Sequence, residues 1–319
     1  MPLIKPKPLG KGSTIGLVAP AVYLDNEPIR QGAEVLQKMG YKTKVHPSCQ
    51  LRHHCRAGTA KQRAQAINDM FADPEVDGIL CVRAGSGCLR TEPHIDYDII
   101  RQNPKVFCGF SDATLLLHII QKKTGMVTFH GPVLFYMLSD NALELAHFSD
   151  VMAGNKVSVD LPEPRLMKKG KGTGKLIGGN MCAFISLMGS AEEPDTDGAI
   201  LFIEDIYEAH HSLDRMLWHL KHAGKLENLA GVILSELPGV EESFVRSTGA
   251  SYGITVWDSL MEIFEGKNIP IVGNTPVGHG DCTLTLPVGI KATLRVTDKN
   301  ASLTLEEGAT AFDRQEEAV

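Results

Sequence analysis

Along the first half of the chain, short apolar runs alternate with stretches in which apolar positions recur every three or four residues. Residues Thr14–Val18 read as a strand ending at Pro20. Ile29, Ala33 and Leu36 then mark one face of a helix that stops before Gly40. Thr59-Ala60-Lys61-Gln62 has the form of a capping box, and Ala60, Ala64, Ile67 and Phe71 follow at helical spacing. Residues 78–82 and 106–110 are apolar without alternation, as expected of strands buried on both faces of a parallel sheet. Strand–helix alternation of this kind predicts a layered α/β domain of Rossmann or flavodoxin type. Sites in such sheets gather at the C-terminal strand ends. Those ends carry Arg83-Ala84-Gly85-Ser86-Gly87 and Ser111-Asp112.

The pattern changes in the second half. Apolar runs at 199–204, 231–234 and 271–274 predict strands, and Leu213, Met216, Leu217 and Leu220 predict a helix over 213–223. From Cys282 to Leu305 the residues alternate more and include the turn-forming Asp298-Lys299-Asn300, which suggests antiparallel strands. Trp218 and Trp257 both fall in helical stretches. Residues 161–174 (LPEPRLMKKGKGTG) are rich in proline, glycine and lysine. They predict a linker over 163–174, between an N-terminal α/β domain (1–162) and a C-terminal mixed β/α domain (175–319).

Composition narrows the class without choosing a chemistry. The 319 residues suffice for two domains. The net charge of −6 argues against nucleic acid as a partner, because phosphate binding favours a basic surplus. Seven scattered cysteines with no CxxC pair argue against a disulfide scaffold or zinc ribbon and fit a reducing compartment. Met1 to Gly12 is basic, holds three prolines and lacks an apolar core, so it does not read as a secretory signal. No apolar stretch approaches the roughly 20 residues that span a bilayer. The expectation is a cytoplasmic protein with no membrane partner.

The sharpest local feature is Gly109-Phe110-Ser111-Asp112-Ala113, between an apolar strand and a helical run. A nucleophile on a strand-to-helix turn needs small residues two positions to either side, and Gly109 and Ala113 supply them. Such a turn exposes the serine oxygen and points the following backbone N–H groups at an incoming oxyanion. The same residues would also serve if Ser111 or Asp112 merely capped the helix. A serine nucleophile needs a base and usually an orienting carboxylate. Among twelve histidines, His53 and His54 lie in a polar loop, and His210 and His211 read as cap or surface residues. His279 stands between Gly278 and Gly280, just after an apolar strand, where flanking glycines permit close backbone approach. Glu204 ends an otherwise apolar strand and needs a partner or a function there, with Asp205 as its rival. Residues 170–175 (GKGTGK) miss the phosphate-loop spacing, because Leu176 stands where Ser or Thr is required. There is no H-E-x-x-H and no convergent Cys/His spacing, so no metal is expected.

Taken in order, these segments resemble the serine LD-carboxypeptidases, or muramoyltetrapeptide carboxypeptidases, a family that includes the microcin C immunity peptidase. The resemblance runs through nearly the whole chain. It takes in Gly12-Ser13-Thr14-Ile15-Gly16, Ile95-Asp96-Tyr97-Asp98, Gly109–Ala113 and Thr128-Phe129-His130-Gly131-Pro132. It continues through Gly178-Gly179-Asn180, Leu201-Phe202-Ile203-Glu204-Asp205, Leu213-Asp214-Arg215-Met216-Leu217 and Gly278-His279-Gly280. It implies a Ser–Glu–His triad on Ser111, Glu204 and His279, set in an interdomain cleft. It also implies an oxyanion hole from the N–H groups of Gly85 and Asp112, no cofactor, and a homodimer. The implied substrate is a murein tetrapeptide or related small peptide, from which terminal D-alanine is released. The alternative is hydrolysis of a peptidyl- or aminoacyl-nucleotide, as in microcin immunity. Arg83, Ser86, Arg90 and Arg215 are the substrate-binding candidates, the arginines through bidentate contact with a carboxylate.

Two segments depart from the family pattern. The donor loop commonly reads R-G-G-Y-G, and here Ala84 and Ser86 replace the second and fourth residues. Ala84 conflicts with the fold if that position needs a positive φ, and Ser86 removes an aromatic wall. His210-His211-Ser212 replaces the start of a common P-Y-R-I-D-R segment. Both changes bear on substrate preference.

Overall fold

The computed structural model describes residues 3–240 and 253–311. The chain divides into two compact units. One comprises Met1–Val157, Leu284–Ile290 and Glu307–Val319, and the other Ser158–Thr283 and Lys291–Glu306. The strands are β1 (Thr14–Val18), β2 (Lys42–Val45), β3 (Gly78–Cys81), β4 (Val106–Gly109), β5 (Thr128–His130), β6 (Ser158–Asp160) and β7 (Arg165–Lys168). They continue with β8 (Gly170–Asn180), β9 (Ile200–Glu204), β10 (Gly231–Ser235), β11 (Ile271–Thr275), β12 (Leu286–Val288), β13 (Lys291–Val296) and β14 (Ala301–Leu305). The described α-helices are α1 (Asn26–Lys38), α2 (Ala60–Ala72), α3 (Tyr97–Gln102), α4 (Thr114–Thr124), α5 (Ala142–Met152), α6 (Met181–Ile185), α7 (His210–His222) and α8 (Val256–Ile263). None is long and apolar enough to cross a membrane.

The first unit is built on a six-stranded sheet in the order β12-β5-β4-β3-β1-β2. Its first five strands in sequence run parallel. Every residue of β3 and β4 is buried, which explains runs that are apolar without alternation. The capping box at Thr59 and Gln62 forms and starts α2. That helix buries Ala64, Ile67 and Phe71, and Phe71 stacks on Phe107 of β4 at 6.0 Å. Burying each such aromatic contributes about 1.5–3 kcal/mol.

The second unit holds an eight-stranded mixed sheet, β6-β14-β13-β8-β9-β10-β11-β7. Strands β8 to β11 run parallel through its centre. Their C-terminal ends carry Asn180, Glu204 and Ser235, and His279 follows β11 by four residues.

Two expectations are corrected. Residues 163–174 are not a linker: they hold β7, which pairs with β11, and the first half of β8, which pairs with β13. The glycines there answer crowding, not flexibility. A Cβ on Gly172 would come within 1.7 Å of the Ala230 carbonyl oxygen, and one on Gly174 within 2.1 Å of that of Gly198. The C-terminal strands are antiparallel as expected, but they do not all stay in the second unit. β12 pairs with β5 and forms an edge of the first sheet.

Candidate active site

Strand β4 delivers its chain into a sharp turn. Gly109 ends the strand, and Ser111 opens a single 3-10 turn (Ser111–Ala113) that leads into α4. Ser111 adopts φ +60°, a left-handed conformation that costs a non-glycine residue roughly 1–2 kcal/mol. Crowding explains the small flanking residues. A Cβ on Gly109 would lie 2.9 Å from Cys81 Sγ and 3.1 Å from the Ala113 Cβ. Neither Ser111 nor Asp112 caps the helix: α4 has no side-chain cap. The Asp112 carboxylate instead accepts from the Cys88 N–H at 2.8 Å, tying the turn to the loop after β3.

That loop is Arg83-Ala84-Gly85-Ser86-Gly87. The left-handed positions are Gly85 (φ +105°) and Gly87 (φ +126°), whereas Ala84 keeps a negative φ and is buried. The loop's departure from R-G-G-Y-G at position 84 is therefore conformationally silent. A Cβ on Gly85 would meet Val22 Cγ2 at 2.5 Å, so this glycine is required twice over. Ser86 is exposed, and its carbonyl accepts from Arg56 Nε at 3.2 Å. Arg83 is exposed and lies over the Phe135 ring at 5.4 Å from its centroid. Arg90 is exposed on the following 3-10 turn, Cys88–His94.

In the second unit, β9 ends in two adjacent carboxylates with different environments. Glu204 is 0 % exposed, and its Oε2 lies 2.6 Å from Nδ1 of His279. A carboxylate oxygen accepts at this contact, which favours the imidazole tautomer with its proton on Nδ1. Gly278 makes this contact possible. At φ +99° its missing Cβ would stand 2.5 Å from both Cγ and Oε2 of Glu204. Asp205 turns instead to the start of α6, accepting from Cys182 N at 3.1 Å and from Asn180 Nδ2 at 3.2 Å. Burial, then the charge of Glu204, pushes the Asp205 carboxyl up to about 6. The rivalry between the two carboxylates is thus resolved by geometry: Glu204 holds the histidine and Asp205 holds a helix.

The remaining candidates sort by burial. His53 and His54 are exposed, edge to face at 4.6 Å. His210 is not a cap or surface residue; it is buried, with Nε2 2.9 Å from Ser259 Oγ, and packs α7 on α8. His211 and Arg215 are exposed on α7. Among the described residues, no cluster of three or more His, Cys, Asp or Glu side chains is arranged to hold a metal ion.

Two contributors escaped the sequence reading. Phe135 follows β5 by five residues and gives Arg83 its ring contact. Arg63, one residue past the capping box, is buried beneath the donor loop, and its position four residues before Ile67 on one helix face was the available signal.

The chain has counterparts among known proteins. Residues 15–131 match the LD-carboxypeptidase N-terminal domain, and residues 173–294 match the LD-carboxypeptidase C-terminal domain. The chain is 33 % identical over 312 residues to a probable murein peptide carboxypeptidase of Bacillus subtilis, covering 96 % of each. It is 30 % identical over 332 residues to the microcin C7 self-immunity protein MccF of Escherichia coli, covering 93 % of this chain and 94 % of the relative. The solved muramoyltetrapeptide carboxypeptidase of Oxalobacter formigenes superposes with a TM-score of 0.80 at 26 % identity, over 92 % of this chain and 98 % of the other.

Proposed function

The chain belongs to the LD-carboxypeptidase family of serine-type peptidases, and from that premise we propose that it releases terminal D-alanine from murein tetrapeptides by acyl transfer. The observation that carries the reading is the 2.6 Å contact between Glu204 and His279, which fixes the imidazole tautomer a general base requires. The strained backbone at Ser111 supports the choice of nucleophile.

In this mechanism His279 Nε2 takes the proton of Ser111 Oγ as that oxygen attacks the carbonyl between the L-centre and D-alanine. Glu204 stabilises the imidazolium through Nδ1. The N–H groups of Gly85 and Asp112 receive the developing oxyanion, each contributing roughly 2.7–4 kcal/mol of transition-state stabilisation. The proton passes to the leaving amine, and D-alanine departs. Water then attacks the ester with His279 again as base, regenerating Ser111. Arg83, already oriented against Phe135, is the favoured partner for the substrate's terminal carboxylate, ahead of Arg90 and Arg215. No cofactor takes part. All seven cysteines are free thiols, which supports a role in the cytoplasm on recycled peptidoglycan fragments. We place the working enzyme as a homodimer on family grounds.

A second reading, hydrolysis of an aminoacyl-nucleotide, is favoured by the self-immunity relative at 30 % identity. The deciding experiment incubates the protein with a murein tetrapeptide and, separately, with an aminoacyl-adenylate analogue, and measures D-alanine and free amino acid. D-alanine release that disappears in Ser111→Ala supports the first reading. Cleavage of the nucleotide conjugate alone replaces it with the second.

A further inference from the structure

Beneath the donor loop lies a buried cation whose hydrogen bonds all go to backbone carbonyls. Arg63, in the first turns of α2, is 1 % exposed. Its Nε donates to the Pro20 carbonyl at 2.8 Å, Nη1 to that of Gly58 at 2.6 Å and Nη2 to that of Gly87 at 3.1 Å. Those oxygens belong to three separate segments: the one leaving β1, the one entering α2 and the one following β3.

The far end of this arrangement is the nucleophile turn. Gly87 accepts from Arg63, and its neighbour Cys88 donates to the Asp112 carboxylate at 2.8 Å. The donor residue Gly85 lies two positions before the clamped carbonyl, and Arg56 Nε holds the carbonyl of Ser86 between them at 3.2 Å. Each link lies within the first unit.

A staple for three carbonyls does not by itself call for a charge. Burying a guanidinium with only neutral acceptors costs far more than burying a neutral amide. Burial lowers the proton affinity of Arg63, and the nearby Asp112 charge offsets part of that effect. Departures of this kind from the ordinary rules of burial concentrate where a site must be held rigid. The guanidinium presents its N–H donors in a rigid planar fork, so the three loops are held in one fixed geometry, which the rotating ammonium of a lysine does not impose.

We propose that Arg63 is a positioning residue for acyl transfer: by holding Gly87 while Asp112 holds Cys88, it locks the Gly85 loop as an oxyanion donor beside the Ser111 turn. The inference rests on Ser111 being the nucleophile, so Ser111→Ala is run in the same assay. If that variant keeps its tetrapeptide activity, the functional reading itself fails, whatever Arg63 does.

The test uses Arg63→Lys and Arg63→Gln in the full-length protein, with D-alanine release from a murein tetrapeptide and binding of a peptide boronate that forms a tetrahedral serine adduct. Loss of donor alignment weakens the tetrahedral state and leaves ground-state binding alone. The expected result is a kcat lowered about 10²-fold with KM within about twofold, and boronate affinity lowered in parallel with kcat/KM. Arg63→Lys retains more activity than Arg63→Gln because it preserves the charge. A folded Arg63→Lys protein with reduced thermal stability but unchanged kcat and boronate affinity overturns the proposal. Should both Arg63 variants fail to fold, Asp112→Ala removes the acceptor of the Cys88 N–H and cuts the same chain of contacts at its other end. It must then show the same selective loss, and unchanged kcat in that variant overturns the proposal equally.

Discussion

Glu204 and His279 lie 75 residues apart in sequence, yet their side chains meet at 2.6 Å, and Gly278 beside the histidine has no Cβ to keep the carboxylate away. Glu204 is wholly buried, and its Oε1 has no hydrogen-bond partner among the described residues. A carboxylate held there by one contact is costly in stability, and its return is an imidazole of fixed tautomer.

Replacing the charge while keeping the shape separates these roles. Glu204→Gln is expected to lower kcat for D-alanine release by about 10³–10⁴-fold with little change in KM, because the imidazolium loses its counter-charge. Asp205→Asn, one residue away, is expected to change kcat less than about tenfold and to act on the thermal midpoint through the start of α6. Equal kinetic losses in the two variants would remove Glu204 from its role.

The backbone at Ser111 predicts a conflict between stability and activity. Glycine tolerates φ +60° and alanine does not. Ser111→Gly and Ser111→Ala should both be inactive, with the glycine variant more stable by about 1 kcal/mol in urea titrations. Equal stability would mean that the turn carries no strain.

The donor loop predicts opposite outcomes for neighbouring substitutions. Gly85→Ala must place a methyl group 2.5 Å from Val22 Cγ2 at a left-handed φ, and should lose at least about 1 kcal/mol of stability and about 10²-fold in kcat. Ala84→Gly, which restores the common family residue, should alter kcat less than about twofold, since Ala84 already sits at negative φ. A large gain from Ala84→Gly would refute the conformational silence of this position.

Two buried groups give stability opposite dependences on pH. Asp205 titrates near 6 in the folded chain, above its ordinary value of 3.8, so between those values the native state binds more protons than the unfolded one. Its contribution is therefore full below about 4 and is lost as pH rises through 6. In Asp205→Asn that loss is absent, and relative to wild type the variant should gain about 3 kcal/mol between pH 4 and pH 7. His147 behaves in reverse. Burial pushes its imidazole down from 6.5 to about 4, and neutral Nδ1 accepts the Thr285 N–H at 3.2 Å. Its contribution is full above 6.5 and is lost as pH falls toward 4. Denaturant midpoints of Asp205→Asn and His147→Gln across pH 4–7 should thus move apart from wild type in opposite senses.

The parts of the fold and site that the sequence disclosed are those written in local pattern. Unbroken apolar runs located β3, β4 and β9, and the Thr59–Gln62 spacing located the start of α2. The candidate residues lie at or shortly after such runs: Ser111 two residues after β4, Glu204 at the last position of β9 and His279 four residues after β11, between two glycines. What stayed hidden was non-local. Gly172 and Gly174 read as flexible until Ala230 and Gly198 are seen pressing against them. His210 and Arg63 have polar names and buried places, and nothing near either residue in sequence announces Ser259 or the carbonyls of Pro20 and Gly87.

The edge strand β12 sets a schedule. Residues 286–288 complete a sheet whose other strands all come from the first 130 residues. A ribosome releases them only after more than a hundred and fifty intervening residues, including all the strands from β6 to β11. Until then β5 has an unpaired edge, and the nascent first unit is unfinished and open to wrong partners. For the same reason, no single cut in the gene yields two complete halves. A chimera that exchanged the first unit between relatives would need to carry this short return segment, and the chain from Glu307 onward, with it.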